Sequence, residues 1–97
     1  MILRVFRASV REGNQAEFMR LVEEQSIPGL LKQEGLLRHF PGAPMSVDGG
    51  QFTMVTVWRD IDSLKSFAGH EWERPDVTPD EAPLVESMSA EHYVLFG

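Results

Sequence analysis

The chain has 97 residues, 42% of them hydrophobic and 25% charged, with a formal net charge of −6 and no cysteine. These values fit a single small globular domain over 1–97 and exclude disulfides, thiolate metal sites and cysteine nucleophiles. Arg4 and Arg7 interrupt the apolar N-terminal run, and no stretch reaches the length of a membrane span, so the sequence reads as cytoplasmic with no membrane partner.

Residues 2–10 alternate and are rich in β-branched and aromatic types, which predicts a first strand ended by Arg11-Glu12-Gly13. Asn14, three residues before Glu17, has capping-box spacing and opens a helix over about 14–33. Phe18, Leu21 and Val22 form its apolar face, Pro28 should bend it, and Gly35 is placed as its C-terminal cap. Leu36 to Phe40 is a short second strand, and Asp48-Gly49-Gly50 is a turn signal. The third strand, Gln51 to Arg59, is the clearest in the sequence. Asp60 caps a second helix whose Ile61, Leu64, Phe67 and Ala68 share a face, and Gly69 ends it. Thr78-Pro79-Asp80-Glu81 starts one further turn, which Pro83 cuts short. Residues 91–96 form the last strand.

The order βαββαβ predicts an α+β fold with an antiparallel four-stranded sheet and two main helices on one face. Along the third strand, Phe52, Met54, Thr56 and Trp58 lie on one side, and Thr53, Val55 and Val57 on the other. Both sides are substantially apolar, and two helices can cover only one. The sequence therefore predicts a homodimer through the uncovered sheet face.

The excess acid lies in residues 71–91, where Glu71, Glu73, Asp76, Asp80, Glu81, Glu86 and Glu91 meet the single cation Arg74. No basic face is available for phosphate contacts, which excludes nucleic acid as a partner. His70-Glu71-Trp72-Glu73-Arg74 lacks the second histidine of the H-E-x-x-H zinc motif, and His39, His70 and His92 fall in three different elements, so no metal site is expected. Ser46 and Ser63 sit in turn and helix-start contexts that suit local hydrogen bonding rather than nucleophilic catalysis.

The strand–helix order resembles the antibiotic-biosynthesis-monooxygenase-like family. So does the segment Val57-Trp58-Arg59-Asp60-Ile61-Asp62-Ser63-Leu64-Lys65-Ser66-Phe67-Ala68-Gly69, and so does the closing Glu91-His92-Tyr93-Val94. The resemblance implies a ferredoxin-like chain that pairs into a dimeric α+β barrel. Family functions range from quinol and anthrone oxygenation to haem degradation and isomerisation. The haem-degrading pattern is missing, since the first strand has no asparagine, the helix-two aromatic is Phe67, and residues 77–78 are Val and Thr. No cofactor is expected.

Chemistry-bearing residues gather at the end of strand three, around helix two and in the last strand. His92 and His70 are the candidate bases, because a histidine near its reference pKa suits proton removal at neutral pH. His92 ranks first because a rigid central position in the sheet holds a base better than a loop does. Trp58, Phe67, Trp72 and Tyr93 are the candidate ligand-binding residues, and all six are expected in one pocket between helices and sheet, rimmed by residues 70–90. The reading is a binding protein for a small hydrophobic or aromatic ligand. The alternatives are a cofactor-independent monooxygenase acting on a quinol, phenol or polyketide-like aromatic with O2, and an isomerase or lyase of a related pathway.

Overall fold

The computed structural model describes residues 1–46 and 50–97. Of the predicted 48–50 turn, Asp48 and Gly49 lie outside the described residues. The elements are β1 (Ile2–Val10), α1 (Gln15–Leu21), a π-helical turn (Val22–Ser26), α2 (Ile27–Leu31), β2 (Leu36–Gly42), β3 (Phe52–Trp58), α3 (Ile61–Ala68), a 3-10 turn (Ala82–Leu84) and β4 (Val85–Val94). The sheet is antiparallel in the order β2-β3-β1-β4, which is the ferredoxin-like arrangement.

Several local signals resolve differently from the sequence reading. Asn14 precedes α1, but its side chain makes no capping hydrogen bond; Gly13 N–H donates instead to Gln15 Oε1. The predicted bend at Pro28 is taken up by the π-helical turn just before it. Pro28 has no N–H and its ring crowds the carbonyl four residues back, so a wider turn there relieves both conflicts. Gly35 is not a left-handed cap, since its φ is not positive. A Cβ at that position would sit 2.2 Å from the Ser63 Cβ, so the glycine permits close approach between the turn before β2 and the start of α3. Asp60 and Gly69 behave as expected. Ser63 N–H donates to Asp60 Oδ1 at 2.8 Å, and Gly69 closes α3 at φ 87°.

β4 begins at Val85, six residues before the predicted start, and ends at Val94. Its first half is small and polar, so propensity alone does not mark it; pairing with β1 from Val10 through Ile2 makes it a strand. β4 is also an edge strand, which corrects the central position expected for His92. β2 runs on through Pro41, which an edge strand tolerates because the missing N–H costs no internal ladder bond.

The register sorts the two faces. Ile2, Arg4, Phe6 and Ala8 lie opposite Trp58, Thr56, Met54 and Phe52, and these residues face the helices. The core has two nuclei there, one of Ala8, Phe18 and Phe52 and the other of Leu30, Trp58 and Leu64. Leu3, Val5, Val55 and Val57 occupy the outer face, with Phe40 exposed beside them. Among the described residues, no helix is long and apolar enough to cross a membrane.

Candidate functional site

A cavity of about 570 Å³ lies between the sheet and the helices and borders both core nuclei. Arg4, Phe6, Phe52, Met54 and Thr56 form its floor on the sheet. Phe18, Val22, Ser26 and Leu30 come from α1, the π-helical turn and α2, and Phe67 and Ala68 close one side from α3. The rim is the irregular segment before β4, represented by Arg74, Asp76, Thr78 and Glu81.

The rim is tied down by its own polar chemistry. Thr78 N–H donates to Glu81 Oε1 at 2.9 Å and Glu81 N–H donates to Thr78 Oγ1 at 3.3 Å, a reciprocal capping box. The second oxygen of the buried Glu81 carboxylate accepts from the Ser26 hydroxyl at 2.8 Å, and Gln25 Nε2 donates to Asp80 Oδ2 at 2.8 Å. The π-helical turn is thereby latched to the rim on one side of the cavity.

Arg4 is the central polar group of the floor and only 7% exposed. Its guanidinium donates to the carbonyls of Trp72 and Arg74, the latter at 3.0 Å, and Nη1 lies 2.8 Å from His92 Nε2. Arginine can only donate, so His92 Nε2 accepts and the imidazole is neutral with its proton on Nδ1. Burial pushes the His92 pKa below its ordinary value of 6.5, the Arg4 charge pushes it the same way, and Glu73 opposes them. Burial likewise lowers the Arg4 pKa against the opposing charge of Asp76, although a guanidinium stays charged.

The six residues singled out from sequence are dispersed, which corrects the expectation of one shared pocket. Phe67 lines the cavity. Trp58 is fully buried behind it, with ring centroids 5.2 Å apart and planes inclined by 26°, and its indole N–H donates to Thr56 Oγ1 at 2.9 Å. Trp72 meets His92 edge-on at 5.0 Å, neither of them lining the cavity, and Lys65 Nζ stands 5.9 Å from the Trp72 ring. His70 is exposed in a shallow depression with Lys65, Gly69 and Trp72. Tyr93 is on the outer sheet face, where its hydroxyl donates to Glu91 Oε2 at 2.8 Å and Arg7 pairs with the same carboxylate. Strand alternation separates His92 from Tyr93, since neighbouring residues point to opposite faces.

Arg4, Met54 and the π-helical residues went unrecognised. Arg4 and Arg7 each interrupt one of the two alternating sets of β1, so period alone does not tell which arginine is buried. Among the described residues, no cluster of three His, Asp or Glu side chains is placed to hold a metal ion.

Fold and cavity together define a ferredoxin-like α+β protein with a largely apolar cavity between its helices and its sheet. A family profile for antibiotic biosynthesis monooxygenases matches residues 1–72, and the chain belongs to that family. No curated protein matches it. Its fold is similar to that of SnoaB, a cofactor-independent oxygenase from Streptomyces nogalater, at 18% identity and TM-score 0.70 over 99% of this chain and 93% of that one. It is also similar to a conserved protein from Methanosarcina mazei, at 21% identity and TM-score 0.73 over 96% and 91% of the two chains. A NIPSNAP domain protein from Burkholderia xenovorans matches at 14% identity and TM-score 0.66 over 99% and 95%.

Proposed function

We propose that this chain binds a small hydrophobic or aromatic molecule in the cavity between its helices and its sheet. The observation that carries the reading is the cavity itself, about 570 Å³ and walled by Phe6, Phe18, Met54 and Phe67, a size and lining suited to a two- or three-ring ligand. Phe67 contacts the ligand, and Trp58 holds Phe67 in place through the ring stack. Trp72 and His92 fix Arg4. The chain acts as one domain over 1–97, because β4, beyond the matched segment, pairs with β1 along its length. A cytoplasmic location belongs to the same proposal and is supported by the absence of cysteine.

The active form in this proposal is a homodimer joined through the outer sheet face. Leu3, Val5, Val55 and Val57 lie there without a helical layer, and the exposed Phe40 extends the patch. The four aliphatic side chains are already half-buried, so covering each contributes a fraction of the roughly 1.5–3 kcal/mol that full burial is worth. Tyr93 belongs to that interface.

The neutral His92 favours a second reading, cofactor-independent oxygenation of a quinol or phenol, which needs a base near the ligand. Its Nε2 is engaged by Arg4, so binding is the reading the geometry supports best. His70, in its exposed depression, is the remaining candidate base.

The test uses N-phenyl-1-naphthylamine, a neutral fluorophore that brightens in apolar surroundings. Saturable enhancement with one site per chain, lost in an Ala68→Phe variant that stays folded by circular dichroism, is expected. Enhancement unaffected by filling the cavity contradicts the proposal. Oxygen uptake with a quinol panel, surviving chelation and lost in His92→Gln, establishes the second reading.

A further inference from the structure

We infer that the ligand of this cavity is an amphipathic anion: a small hydrophobic molecule whose carboxylate docks on Arg4. The inference rests on the cavity being the binding site and adds the chemistry of what it recognises.

Arg4 is a buried cation whose hydrogen-bond partners are all neutral. Two are main-chain carbonyls and the third is the imidazole of His92. Among the described residues no carboxylate lies within 4 Å of its guanidinium, and its Nε–H and one N–H of Nη2 have no hydrogen-bond partner there. The other charges around the cavity do not fill this role. Glu81 spends its two oxygens on Thr78 and Ser26, Arg74 pairs with Glu71 at 3.8 Å, and Glu23 and Asp76 are exposed. Asp76 acts on Arg4 through its charge without reaching it.

A buried charge without a counter-charge is costly, and a guanidinium with vacant N–H groups is shaped to receive planar oxygen anions. Arg4 also sits on β1, which is paired on both sides, so the group is held before any ligand arrives. The apolar walls take the hydrocarbon part, and Arg4 supplies direction and sign.

The test compares 2-naphthoate, ionised at neutral pH, with 2-naphthalenemethanol, its neutral counterpart of similar size. Both are titrated into the 15N-labelled protein at low ionic strength. Both should shift the amides of Ser26, Thr53 and Ala68 around the cavity, naphthoate should bind at least tenfold more tightly, and only naphthoate should move the Arg4 Nε–H resonance. Arg4→Met should bind the two equally, and Arg4→Lys should keep part of the preference. Equal affinities in the wild-type chain overturn the inference while leaving the cavity as a binding site, and that comparison does not depend on any variant folding. No shift at the cavity amides with either compound overturns both.

Discussion

Replacing Trp58 with alanine separates a supporting role in the core from direct ligand contact. The side chain is fully buried with Leu30 and Leu64, stacks on Phe67 at 5.2 Å and donates to Thr56. Truncating a buried tryptophan costs about 3–5 kcal/mol, and leaving the buried Thr56 hydroxyl without its donor adds about 1 kcal/mol. A domain of this size is stable by about 5–15 kcal/mol in total, so the variant should lose about a quarter or more of its stability. With a urea slope of about 1–3 kcal/mol/M, the unfolding midpoint should fall by about 2 M. Urea titration followed by circular dichroism and by the fluorescence of Trp72 measures this directly. Trp58→Phe keeps a ring against Phe67 and should recover most of the loss. A drop smaller than about 0.5 M for Trp58→Ala would refute the packing argument and place Trp58 at the ligand surface.

Gly35→Ala should lower the melting temperature, because the new Cβ collides with Ser63, and Ser63→Gly in the same chain should restore part of it. A Gly35→Ala protein as stable as wild type contradicts the close approach. His92 is neutral in the fold, and its pKa is lowered from 6.5, so the unfolded chain takes up the proton first as pH falls. Its contribution is complete above pH 6.5 and declines below it toward the folded-state value; urea midpoints across this range should show the slope, and His92→Gln should remove it. An unchanged slope in that variant sinks the assignment. Val55→Glu, in the middle of the outer face, should convert a sedimenting species of twice the chain mass into one of a single chain mass. A wild-type monomer at micromolar concentration rules out the homodimer.

Fold class was legible because strand alternation, the Asp60 cap and the glycine after Ala68 all agree with one topology. β4 was only half legible. Its first residues, Val85-Glu86-Ser87-Met88-Ser89-Ala90, have little strand character and become a strand through their partner β1. Helix one was legible in extent but not in its π-helical turn, which answers a steric conflict at Pro28 that hydrophobic period does not encode. For the site, aromatic composition pointed to the layer between helices and sheet, where the cavity lies, and to Phe67 on its wall. It missed Arg4 because burial of a charge is decided by what packs over it. It also grouped His92 with Tyr93, although adjacent strand residues must part. Residues near one another in sequence and similar in chemistry were read as one pocket, whereas the sheet distributes them over two faces.

In the proposed function the ligand lies between the helices and the sheet rather than on the outer sheet face. Intermolecular nuclear Overhauser effects from bound N-phenyl-1-naphthylamine to methyl-labelled protein test it most directly. Contacts to Met54, Ala68 and Leu30, which border the cavity, are expected. Contacts confined to Leu3, Val5, Val55 and Val57 would contradict it.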